Sequence, residues 1–124
     1  MARKKKIGCD VGIVVHDHFE DLYVNLQILK NHGVFNKIYV VASDVPNVEE
    51  RREQIEKFAD FDVLTGLSDH DRRLKDRTGP LKIGRMFSKS KADRMLIIYQ
   101  DIWLLDINKF LVNYQKMVDE EKIC

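Results

Sequence analysis

No apolar run in this sequence approaches the ~20 residues that would cross a bilayer. The opening Met1-Ala2-Arg3-Lys4-Lys5-Lys6 has the charge of a secretion signal, but Asp10 interrupts the apolar stretch behind it and no cleavage-like site follows. A cytoplasmic location is therefore expected. Cysteine is scarce: Cys9 and Cys124 sit near opposite ends, a spacing that reads as one buried and one frayed free thiol rather than a disulfide framework. The net charge is only +1, so bulk charge calls for no polyanionic partner. There is no internal repeat, low-complexity tract or linker. Gly-x-Ser-x-Gly, a Walker A lysine loop and a Gly-x-Gly-x-x-Gly after the first strand are all missing, so no ready-made nucleophile or phosphate loop is present.

What is there is a regular alternation. Val11–Val15, Ile38–Ala42, Phe61–Thr65 and Met95–Tyr99 are short apolar runs, the mark of strands covered on both faces. Between them lie amphipathic stretches. Glu20 and Asp21 open a helix with Leu22, Leu26 and Leu29 on one face, and Gly33 ends it. A second helix starts at Pro46-Asn47 and turns Val48, Ile55, Phe58 and Ala59 inward. Gly66–Thr78 reads as a long polar loop, functional or mobile. Gly79-Pro80 punctuates the chain before a helix over Leu81–Ala92, with Leu81, Ile83, Met86 and Phe87 as its apolar set. The last helix runs from about Asp106 to Lys122 on a face of Ile107, Phe110, Leu111, Tyr114, Met117 and Val118. Strand–helix alternation in 124 residues predicts one α/β domain around a mainly parallel four-stranded sheet with right-handed crossovers.

In such sheets ligands gather at the carboxyl ends of the strands. Those ends carry His16, Asp17 and His18; Ser43 and Asp44; Asp69, His70 and Asp71 in the long loop; and Gln100 and Asp101. Acids on one rim suit an oxygen-loving divalent cation, magnesium or manganese, although polar residues also end strands simply because turns need them. The pattern His16-Asp17-His18 makes a poor zinc site, since alternate residues splay apart and no Cys/His pair answers them. Arg72 to Arg94 is dense in cations, including Lys82 and Arg85; it reads either as a diphosphate cradle or as a solvated basic face. No aromatic residues interleave with these cations, which argues against a nucleic-acid stacking platform.

Val14-Val15-His16-Asp17-His18-Phe19-Glu20-Asp21-Leu22 resembles the opening of the family 2 inverting glycosyltransferases of the GT-A fold. Ile38–Asp44 is similar to their second strand, Gly79-Pro80 to the glycine before their third helix, and Lys91–Asp101 to the segment that ends in their Asp-x-Asp motif. The resemblance runs from about Lys6 to Phe110. It implies a three-layer Rossmann-like domain of strand order 3-2-1-4, a pocket for a nucleotide-diphosphate sugar at the strand ends, and magnesium or manganese on the diphosphate. By position it sets Asp17 beside the base, Asp44 near the base and ribose, and Asp101 on the metal. Lys82 and Arg85 flank Ile83-Gly84, where the family has Arg-Asn, and are assigned to the ligand's anionic part. Tyr99 replaces the first acid of Asp-x-Asp. The family's acceptor half and catalytic base lie beyond that motif, and no catalytic residue is identified here, so binding is expected ahead of transfer.

Two other readings remain open. One is a non-catalytic interaction module on the same fold, pairing through an apolar patch at Trp103-Leu104-Leu105, as a homodimer or otherwise, unless Trp103 folds under the last helix. The other is a flavodoxin-like receiver, for which the third strand lacks the phospho-acceptor acid and a fifth strand would be needed.

Overall fold

The computed structural model describes residues 8–15, 19–43, 45–64, 75–100 and 102–121, with backbone alone for 75–80 and 121. The elements are β1 (Cys9–Val15), α1 (Phe19–His32), β2 (Ile38–Ser43), a 3-10 turn (Val48–Arg51) running into α2 (Arg52–Glu56), β3 (Asp60–Leu64), α3 (Lys75–Lys89), β4 (Arg94–Tyr99) and α4 (Ile107–Glu121). The four strands form one sheet in the order β3-β2-β1-β4, and every pair is parallel. This is the expected α/β architecture and strand order. β1 lies between β2 and β4, not between β2 and β3 as a receiver would have it.

Both faces of the sheet are covered, which is why β1 is buried along its whole length. On one face Val11, Ile13 and Val15 pack with Phe19, Leu22, Leu26 and Leu29 of α1, Ile55 of α2, and Ile107 and Tyr114 of α4. On the other, Val14, Tyr39, Val41 and Leu64 meet Met86 of α3, with Ile83, Met95 and Ile97 partly buried beside them. Alternate residues of β1 thus serve opposite cores, as the pleat requires. Gly12 lets α3 approach: a Cβ there would stand 2.7 Å from the Met86 sulfur and 2.9 Å from that of Met95. Gly33 ends α1 at φ +66, a left-handed conformation that glycine adopts without strain.

Four details differ from the sequence reading. α2 is short, and Phe58 and Ala59 fall just past its end, partly buried. α3 begins at Lys75, so it takes in Gly79-Pro80 instead of following them. Pro80 cannot donate to the preceding turn, but Gly79 has no Cβ to clash with the proline ring, and the helix continues. The sheet-facing stripe of α3 is Lys82 and Met86, both fully buried, while Leu81 and Phe87 are 43% and 55% exposed. Docking Met86 over Gly12 fixes that rotation. Likewise Met117 of α4 faces outward.

At the amino end of the sheet, buried Asp10 ties two connections together. It accepts from the Lys37 backbone N–H and from the Ser90 hydroxyl. Cys9 is a buried free thiol, and burial is the leading cause that pushes its pKa up. No helix among the described residues is long and apolar enough to cross a membrane.

Candidate site at the carboxyl ends of the strands

A crossover helix runs against the parallel strands it covers, so the first half of α3 lies by their carboxyl ends. Lys82 is in that half. Its side chain is fully buried, and Nζ donates to the Val15 carbonyl at 2.9 Å and to Ser43 Oγ at 2.7 Å. One ammonium group therefore joins the last residue of β1 to the last residue of β2. Burial strips water from it and pushes its pKa down to about 8. Of the residues assigned to ligand or metal from sequence, Lys82 is the one that the structure sets at the strand ends among the described residues, beside Ser43 at the end of β2 and Gln100 just after β4.

Arg85 has a different position. One turn further along α3, it pairs with Asp62 of β3 at 3.1 Å. Lys89 continues the row, reaching Asp60 at 3.0 Å and Asp62 at 3.4 Å. Burial works to raise the Asp62 carboxyl, but Lys89 and Arg85 outweigh it and hold its pKa below the ordinary value. Asp62 stands opposite Val41, in the middle of β2. Arg85 is thus engaged along the sheet, away from the ends that Lys82 joins.

Asp17, Asp44 and Asp101 lie outside the described residues, as do His16, His18, Asp69, His70 and Asp71. In the chain, Asp44 directly follows β2, while Asp17 and Asp101 each come two residues after β1 and β4. Most of the Gly66–Thr78 segment is likewise outside the description. Among the described residues no group of three or more His, Cys, Asp or Glu side chains could hold a metal ion.

The exit from β4 is built from backbone and from α1. The Gln100 N–H continues the ladder to the Val14 carbonyl at 3.2 Å, and the Ile102 N–H turns back to the Tyr99 carbonyl at 3.0 Å. Buried Asn25 of α1 directs its amide nitrogen at the carbonyl oxygens of Ile102, Gln100 and Tyr99, at 2.8, 3.3 and 3.4 Å. His32, also on α1, lies 2.6 Å from the Leu104 carbonyl through Nε2. Neither residue was singled out from sequence. The available signal was Asn25 itself, a polar residue inside the Leu22-Leu26-Leu29 stripe. Beyond this exit, Ile102, Trp103 and Leu105 are 52%, 42% and 70% exposed, while Leu104 packs against the core. Trp103 therefore does not fold under α4.

An open cleft of about 520 Å³ lies at the other end of the sheet, lined in part by Lys30, Lys37, Lys57 and Phe58. It is separate from the strand ends that Lys82 joins. Comparison with known proteins finds no family whose model matches the chain, no similar curated protein and no similar solved structure.

Proposed function

We propose that this domain binds the diphosphate of a nucleotide-diphosphate sugar at the carboxyl ends of β1, β2 and β4. The observation that carries the reading is Lys82, a buried ammonium joining β1 to β2 at the end where open parallel sheets take their ligands. A cation held there favours an anionic ligand, and at neutral pH a group with a pKa of about 8 is mostly charged. The strand order is the one the glycosyltransferase resemblance requires. On this reading Asp17 and Asp44 contact the nucleoside. Asp101 is the acid to hold magnesium or manganese, which would neutralise the diphosphate. Arg85 joins the site only if it leaves Asp62. The reading is one of binding, and it assigns no residue as the base for sugar transfer.

Titration calorimetry with uridine and guanosine diphosphates plus manganese tests this. Saturable binding is expected, weakened in Lys82→Met. A wild-type protein that gives no heat at millimolar nucleotide refutes it.

The exposed Ile102, Trp103 and Leu105 support a second reading, an interaction module that pairs through this surface, a second copy being the simplest partner. Sedimentation of the wild type against Trp103→Ala decides it: a wild-type monomer at high micromolar concentration ends the dimer version.

A further inference from the structure

Asn25 and His32 are seven residues apart on α1, two helical turns, so they project from one face. Both end on carbonyl oxygens of the same segment: Asn25 on Tyr99, Gln100 and Ile102, and His32 on Leu104. A carbonyl only accepts, so His32 Nε2 carries a hydrogen and donates it. The orientation of the Asn25 amide is equally determined. Reversing it would set Oδ1 against three carbonyl oxygens. In the orientation that remains, Oδ1 is buried and has no hydrogen-bond partner among the described residues. A position needed only to fill the leucine stripe would be served better by leucine, which buries more apolar surface and brings no buried acceptor of its own.

We infer that Asn25 and His32 are positioning residues: a two-point clamp by which α1 sets the place of the Tyr99–Leu104 segment relative to the ends of β1 and β2. In sequence Asp101 stands between Gln100 and Ile102, two of the residues whose carbonyls the clamp holds. The functional consequence rests on the diphosphate reading: the clamp holds the backbone carbonyls on either side of position 101, where that reading puts the acid for the cation, and so lowers the cost of ordering the segment when the ligand arrives. Trp103 is carried between the two anchored carbonyls of Ile102 and Leu104.

Trp103 is the one tryptophan in the sequence, so its fluorescence reports on the clamp without a label. Asn25→Leu is expected to fold, at a melting temperature lowered by the carbonyls that lose their donor and partly restored by the added apolar burial. Its Trp103 emission should depolarise faster and quench more readily with acrylamide. Manganese-dependent affinity for uridine diphosphate should fall about 10- to 100-fold, the usual cost of losing a group that orients a metal ligand. His32→Leu should act in the same direction, and His32→Gln, which keeps a donor, should recover the wild-type signals. Unchanged Trp103 anisotropy and quenching in both leucine variants overturns the clamp. Loosened Trp103 with unchanged nucleotide affinity overturns the positioning role. If Asn25→Leu fails to fold, the His32 pair decides alone. If the wild type binds no nucleotide, the diphosphate reading falls, and the fluorescence of the same variants still decides whether α1 holds the segment.

Discussion

Replacing Lys82 by methionine keeps the length of the side chain and removes its charge. Two effects of similar size then oppose each other. Moving the pKa from 10.5 to about 8 means that the fold disfavours the charged amine by about 3 kcal/mol, and methionine escapes that cost. Methionine also leaves the Val15 carbonyl and the Ser43 hydroxyl without that donor, at about 1–3 kcal/mol for each group left unsatisfied. Stability at a single pH is therefore a poor test, whereas its pH dependence is a sharp one. Below pH 8 the amine is protonated in both folded and unfolded chains, and its contribution is flat. Between pH 8 and 10.5 the unfolded chain holds a proton that the folded one has released, so wild-type stability rises with pH, by at most ~1.4 kcal/mol per unit. Above 10.5 both are neutral and the contribution is flat again. Urea unfolding of wild type and Lys82→Met across this range should give a difference that grows in favour of the wild type by about 3 kcal/mol. Tyrosines and the other lysines titrate in both proteins and cancel. Parallel curves would mean that Lys82 keeps an ordinary pKa, and the argument from its burial would fail.

Gly12→Val should destabilise by about 1–3 kcal/mol in the same urea assay, because its branched side chain meets the Met86 and Met95 sulfurs and Ile97 Cδ1 at 3.0 Å or less. Wild-type stability there would show that α3 does not pack against β1 as described. Gly84→Ala should stabilise by up to about 1 kcal/mol, since a Cβ at this exposed helical position meets nothing within 4 Å and alanine is the better helix former. A loss of stability would mean that α3 is not helical around residue 84.

The α/β layers were legible because apolar strand runs alternate with segments of helical period, whereas the strand order 3-2-1-4 came from the family resemblance. The ends of α1 were legible too, from Glu20 and Asp21 at one end and Gly33 at the other. Reading went astray where one local signal outweighed a tertiary one. Gly79-Pro80 looked like a break, yet a proline behind a glycine can sit inside a helix. Leu81 and Phe87 have the spacing of core residues, but the packing of Met86 over Gly12 turns Lys82 to the sheet and leaves both of them exposed. A lysine in a basic stretch carries no mark of burial, because what buries it is the choice of helix face, made by residues far away in the chain. Arg85 shows the converse: its charge was evident, but its partner Asp62 lies across the crossover and became visible only with the sheet register.

The buried polar groups fall into two sets with different physical characters. Asp10, at the amino end of β1, has both carboxylate oxygens engaged, one by the Lys37 N–H and one by the Ser90 hydroxyl. It joins two connections, and holding the fold together accounts for it fully. At the carboxyl end the accounting does not close. Lys82 sits where burial disfavours its charge, and Asn25 holds three carbonyls while its own oxygen has no partner among the described residues. Leucine and methionine fill comparable positions elsewhere on α1 and α3 without either cost. Sequences keep such locally unfavourable choices where geometry and charge matter more than stability. Here both choices fall on the same rim of the sheet, the one where parallel strands present their ligands, and that coincidence supports placing the function there more than any single residue does.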